Sequence, residues 1–309
     1  MRGPVGRLIS IIPRRGWRMA AFLSVLGWML SMPLPAWAGP QTPLSVFVSI
    51  PPQAGFVQRI GGEAVAVEVL IGDGQSPHTY EPSPQQMARL SRARAYFAIG
   101  IPVEEGVLRK IRPTQPDLLV VATHQDVPLR YVHGGHGHDR HTDPSGRSPD
   151  PHIWLSPRLV KVQARHIRDA LTRLDPERRS FYAANLQAFE AELDRLDVRI
   201  AHALAPLRGR KLYVFHPAFG YFADAYGLIQ VSIEIEGKEP GPRQLASLIR
   251  AARRDGVKVL FVQPQFSSKS AAAVAKAVGC VVVPMDPLAR DYVSNMERLA
   301  AAVEEGLGR

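Results

Sequence analysis

The chain has 309 residues, 46% of them apolar, and 38 basic against 28 acidic side chains give it a formal charge of +10. Five arginines, Arg2, Arg7, Arg14, Arg15 and Arg18, crowd the first 18 residues, where no acid stands. The other basic residues, such as Arg165, Arg168 and Arg173, are spread along helical faces without interleaved aromatics, a pattern that excludes nucleic acid as the partner. The one cysteine, Cys280, rules out an intramolecular disulfide, so stability must come from apolar burial.

The basic start runs into an uncharged apolar stretch at 19–30, then Pro33, Pro35 and the small-x-small site Ala36-Trp37-Ala38. That order predicts a signal peptide over residues 1–38, cut before Gly39; a membrane anchor would need about 20 apolar residues. Arg14-Arg15 leaves twin-arginine export open beside the ordinary route. No cysteine lies at the cleavage site to carry a lipid, so a soluble, monomeric periplasmic protein is expected. Roughly 270 residues remain, enough for two domains.

Beyond the signal, short β-branched runs alternate with helical patterns, the mark of βα units with parallel sheets. In a first lobe, 39–174, strands are predicted at 44–50, 65–71, 95–99 and 118–122. Ser83 and Pro84 there read as the N-cap and first residue of a helix through Gln86, Leu90 and Ala93. A further helix is predicted from about Pro157. From Pro176 to Leu204 there is no glycine and no internal proline, and Phe181, Leu186, Phe189, Leu193, Leu196 and Ile200 recur at helical spacing. This predicts one long linking helix within 175–205, a strut of roughly 40 Å at 1.5 Å per residue. In the second lobe, 206–309, strands are expected at 211–215, 228–235, 257–262 and 281–284, with helices from Pro242 and over 268–278, the latter stopped by Gly279. The fold class is therefore α/β: two lobes, each a mainly parallel sheet flanked by helices, joined by one long helix.

The segment 131–150 has no apolar period and carries His133, His136, His138 and His141 among glycine, aspartate, serine and arginine. It reads as a surface loop that offers auxiliary metal ligands, since imidazole suits zinc, copper and nickel. Three other histidines sit in punctuated motifs at element boundaries: His78 in Ser-Pro-His-Thr-Tyr-Glu-Pro, His152 in Asp-Pro-His-Ile-Trp-Leu, and His216 in Phe-His-Pro-Ala-Phe-Gly. Asp286 adds a carboxylate just past the last strand. Ligands of open α/β sheets bind beyond the carboxyl ends of strands, so these four residues are candidates to meet in a cleft. Three imidazoles and a carboxylate make a tetrahedral set that suits zinc. His124, His166 and His202 read as plain loop or helix-surface residues.

On these motifs, together with Glu236-Gly237-Lys238-Glu239-Pro240, the chain resembles the cluster A-I zinc and manganese solute-binding proteins of ABC importers. The likeness extends over essentially all of the chain beyond the signal. It implies two α/β lobes on a rigid helix, a membrane permease as partner, and a divalent metal ion as transported ligand held by His78, His152, His216 and Asp286. Manganese-binding members tend to carry a carboxylate where this chain has His216, so the resemblance implies Zn2+, with Mn2+ or Fe2+ as the alternative. The histidine-rich loop is typical of zinc-uptake members. Two departures are that Pro77 stands where some members place a glutamate, and that the disulfide of some members is impossible here.

Two other classes compete. A secreted zinc hydrolase would need three protein ligands, an open water position and a general base, but the chain lacks a His-Glu-x-x-His helix, and its candidate ligands spread over more than two hundred positions. The expectation is accordingly that the protein is not an enzyme. A periplasmic zinc buffer would use the loop as its main site.

Overall fold

The computed structural model describes residues 42–133, 147–234 and 241–308, with Met1 and Gly3. Packing of the backbone separates Met1–Thr42 from Pro43–Arg309, and the architecture below belongs to the second unit. Apart from Met1 and Gly3, the expected signal segment 1–38 lies outside the described residues.

The first lobe comprises β1 (Leu44–Val48), α1 (Pro51–Gly61), β2 (Val65–Val69), α2 (Pro84–Leu90), β3 (Ala95–Ala98), α3 (Val103–Ile111) and β4 (Leu119–Ala122). Its sheet is parallel, in the order β2-β1-β3-β4. The Ser83 hydroxyl accepts the amide hydrogen of Gln86 and Pro84 opens the helix, so α2 starts where its capping residues direct. Helix α1 is not among the elements expected from the sequence. Pro51 and Pro52 occupy its first turn, where the missing N–H groups need no partner.

After β4 the chain forms an antiparallel hairpin, β5 (Tyr131–His133) with β6 (Arg147–Pro149), so the expected loop at 131–150 opens and closes as paired strands. Helix α4 (Pro157–Leu174) follows, then a 3-10 turn (Pro176–Arg178) and α5 (Arg179–Leu204). Twenty-six residues make α5 about 39 Å long at 1.5 Å per residue. Its buried stripe is Tyr182, Leu186, Phe189, Leu193, Leu196, Ile200 and Leu204. Phe181, expected on that stripe, is 43% exposed; at 100° per residue it falls off the line that Tyr182 continues.

The second lobe comprises β7 (Lys211–Val214), α6 (Gly220–Tyr226), β8 (Ile229–Ser232), α7 (Pro242–Arg254), β9 (Val259–Val262), α8 (Ser268–Val278) and β10 (Val281–Pro284). This sheet too is parallel, in the order β10-β9-β7-β8. Gly279 ends α8 at φ +88°, a left-handed conformation that favours glycine. The final helix, α9 (Tyr292–Gly308), returns across the molecule. Tyr292 meets Phe56 of α1 edge-on at 5.0 Å, and Glu297 pairs with Arg199 of α5.

Alternation along the second sheet divides its side chains between two cores. Leu212, Val214, Val259 and Phe261 join the main core, which runs through both lobes and the linking helix, whereas Tyr213, Phe215, Leu260 and Val262 form a smaller core under α7 and α8. One apolar core continuous from lobe to lobe makes α5 a strut: any large rotation about it would expose buried surface. Among the described residues no helix is long and apolar enough to cross a membrane.

At the carboxyl end of the first sheet, Glu104 is 4% exposed and ties three elements together. It accepts hydrogen bonds from the Ser49 hydroxyl after β1 and from the Ile99 and Gly100 amides after β3, while standing itself in the first turn of α3. With Ser49 donating to Glu104, the Tyr96 hydroxyl donates to Ser49 Oγ at 2.7 Å. Burial raises the Glu104 pKa from 4.5 to about 7, against the lowering effect of those hydrogen bonds. Between these values the folded protein holds a proton that the unfolded chain releases, so Glu104 lowers stability as pH rises through that window. Thermal unfolding at pH 5 and pH 7.5 should therefore show Glu104→Gln gaining on the parent protein at the higher pH. An equal difference at both values would contradict the assignment.

Candidate metal centre

Three of the four principal candidates come together. His78 lies in the loop between β2 and α2, His152 immediately precedes a 3-10 turn (Ile153–Leu155), and His216 follows β7 by one residue. All three line one cavity of about 730 Å³ between the lobes. His78 Nε2 and His216 Nε2 are 3.3 Å apart. Two nitrogens bound to one tetrahedral zinc at about 2.0–2.1 Å stand about 3.3–3.4 Å apart. The ring centres of His152 and His216 are 5.4 Å apart. Among the described residues no three His, Cys, Asp or Glu side chains converge on one point.

The histidines are held from behind. His216 Nδ1 lies 2.5 Å from Glu234 Oε2, and His152 Nδ1 lies 2.7 Å from Asp150 Oδ1. A carboxylate on Nδ1 keeps the proton on that nitrogen and leaves the Nε2 lone pair for the cavity. His78 Nε2–H then donates to His216 Nε2 when no ion is bound. Gln263, 1% exposed, accepts from the His216 amide at 3.2 Å and donates to its carbonyl at 2.8 Å, fixing the backbone. Phe266 stacks on the His216 ring with centroids 4.6 Å apart. Burial lowers the pKa of His216, outweighing the opposing pull of Glu234, so the imidazole is kept in the neutral form that binds metal.

The support of His152 crosses between lobes. Arg130 Nη1 donates to Asp150 Oδ2 at 3.3 Å and its Nε donates to Asp224 of α6 at 3.0 Å, while Trp154 Nε1 donates to the Pro287 carbonyl at 2.7 Å. Gly220, at the start of α6, makes this approach possible: a Cβ there would stand 2.5 Å from the Arg130 guanidinium and 2.6 Å from Asp150 Oδ2.

Asp286 is placed differently. It is not among the cavity-lining residues; its Oδ1 accepts from Gln265 Nε2 at 2.8 Å and from the Leu288 amide at 2.9 Å. Of the loop histidines, His133 ends β5 and its side chain is not described, while His136, His138 and His141 lie outside the described residues. So does the whole of the motif 236–240. His124, expected to be a plain loop residue, lines the cavity. His166 Nε2 lies 3.0 Å from the Gln125 carbonyl and His202 is exposed, as a helix surface predicts.

Glu234, Gln263, Arg130 and Gly220 were not found by reading the sequence. Asp150 had a signal, since it stands two residues before His152 in the Asp-Pro-His motif. Glu234 had none, because it merged with the strand expected at 228–235.

Residues 46–306 match the family described as zinc-uptake complex component A, periplasmic. The chain belongs to that family. A crystal structure of ZnuA is 41% identical, covers 86% of this chain and all of the other, and superposes with a TM-score of 0.80. A ZnuA variant lacking its residues 138–173, with zinc bound, is also 41% identical, with a TM-score of 0.78 over 86% of this chain and 98% of the other. The zinc-binding protein AdcA of Streptococcus pyogenes serotype M3 is 29% identical over 79% of this chain, which spans only 50% of that relative's length. These likenesses agree with the two-lobed fold and with zinc as the bound ion; none favours manganese or iron.

Removing the room at α6 should disturb the centre from a distance. Gly220→Ala displaces Arg130 and loosens Asp150 from His152, and loss of such support typically costs about 10–100-fold in metal affinity. Calorimetric titration with zinc should show at least about a tenfold loss with the circular dichroism spectrum unchanged; unaltered affinity would mean that Asp150 does not set His152.

Proposed function

We propose that this protein captures zinc in the periplasm with His78, His152 and His216 and hands it to the membrane permease of an ABC importer. The observation that supports this most is the pair of imidazole nitrogens, one from each lobe, 3.3 Å apart in the cavity between them. A carboxylate behind His152 and another behind His216 are the surroundings that a metal-binding imidazole needs. Membership of the zinc-uptake family supplies the transport role and the permease as partner. Zinc is preferred to manganese or iron because the centre is dominated by imidazole, and at such a site zinc binds more tightly than either in the usual stability order.

In this reading the protein is a carrier and not an enzyme. It is a monomer of lobes 39–174 and 206–309 on the linking segment 175–205, exported by residues 1–38, with no nucleic-acid partner. Asp286 braces Gln265 at the edge of the cavity, and the loop histidines form a weaker auxiliary site.

Alanine in place of His78, His152 or His216 should each lower zinc affinity by about a hundredfold or more, since two remaining imidazoles make an incomplete shell. Asp286→Ala should change it by only about threefold, the cost of loosening a neighbour. Titration calorimetry on chelator-treated protein makes the comparison, and parental affinity in His216→Ala would remove the central claim.

A further inference from the structure

The cavity is far larger than an ion requires. It is a cleft of about 730 Å³, whereas one water takes about 30 Å³ of liquid and sites for small organic ligands run to about 300–1,000 Å³. Beyond the histidines much of its first-lobe wall is apolar, with Ile101, Val103, Leu108, Val120 and Ala122 along α3 and β4. Glu105 and Arg112 also line it, and Arg112 forms no ion pair among the described residues.

The metal centre lacks a donor. Three imidazoles leave one tetrahedral position, and Asp286, outside the wall, has its Oδ1 engaged by Gln265 and Leu288.

We infer that the cavity accepts zinc together with a small amino-carboxylate chelator, which supplies the fourth donor, lays its body against Leu108 and Val120, and sets its charges against Arg112 and Glu105. The inference rests on the three-histidine reading above. It makes the cargo a ternary complex of protein, zinc and chelator, with the apolar chamber as the subsite for the organic part. Chelated zinc would then be taken up without first being stripped of its last ligand.

Native mass spectrometry of the full exported chain tests this, with zinc alone, zinc plus L-histidine, and zinc plus picolinate as probes. The parent protein should retain one zinc in every arm and, in addition, one L-histidine or picolinate. Leu108→Trp, which fills the chamber, should keep the zinc and lose the organic ligand; its zinc signal also reports that it has folded. Arg112→Ala, an exposed position away from the histidines, should keep the zinc and retain the carboxylate ligand about tenfold more weakly, the effect of losing one charge-assisted hydrogen bond. Zinc retained with neither organic ligand in the parent protein overturns the inference and leaves the carrier reading intact, as does an organic ligand held equally by the parent and both variants. Failure of the parent protein to hold zinc by itself would sink the carrier reading and this inference with it.

Discussion

His78 Nε2 and His216 Nε2 approach within 3.3 Å although they are 138 residues apart in the chain and belong to different lobes. Everything else in the fold serves to keep that separation. Metal–nitrogen bonds tolerate errors of about 0.2 Å, a precision that loops cannot hold unless the bodies bearing them are locked together. Lobes on a flexible linker would wander by far more than that. A continuous apolar core through both lobes and α5, closed by α9 against α1, removes the freedom.

Within that frame the second constraint is orientation. An imidazole offers two nitrogens, and a free one rotates and exchanges tautomers. Glu234 and Asp150 settle both questions for His216 and His152. Burying these carboxylates would be costly if they were left unpaired. Asp150 is compensated by Arg130 and the His152 amide as well as by the ring, so the charge that orients His152 is itself anchored to the opposite lobe through Asp224. Gly220 belongs to the same device, because the guanidinium packs into the volume its absent side chain leaves.

Glu104 shows the same economy on the first-lobe side. The ends of β1 and β3 bring hydrogen-bond donors to one carboxyl at the start of α3, so three elements behind the cavity wall are tied to a single buried group. That wall is largely apolar, with Ile101, Val103 and Leu108 beside the histidines. The charged side chains between α4 and α5, such as Lys161 with Asp194 and Arg165 with Glu190, lie at the surface and add little by comparison.

Much of this was legible in the sequence because it depends on local rules. Alternating βα runs, the Ser83-Pro84 start of α2, the Gly279 stop of α8 and the apolar stripe of α5 each obey a period or a capping preference that neighbours in sequence decide. His78, His152 and His216 stood out because proline-punctuated histidines at strand ends mark a cleft in this class of fold. What only the tertiary structure decided is which groups from distant segments face one another. The pairing of Glu234 with His216 spans 18 residues, that of Arg130 with Asp224 spans 94, and that of Gln265 with Asp286 spans 21. No period or cap encodes such contacts, since side-chain direction and distance are set by how the two sheets pack on α5. The sequence by itself determined the elements and the histidines; the packing of the lobes determined which carboxylates orient those histidines.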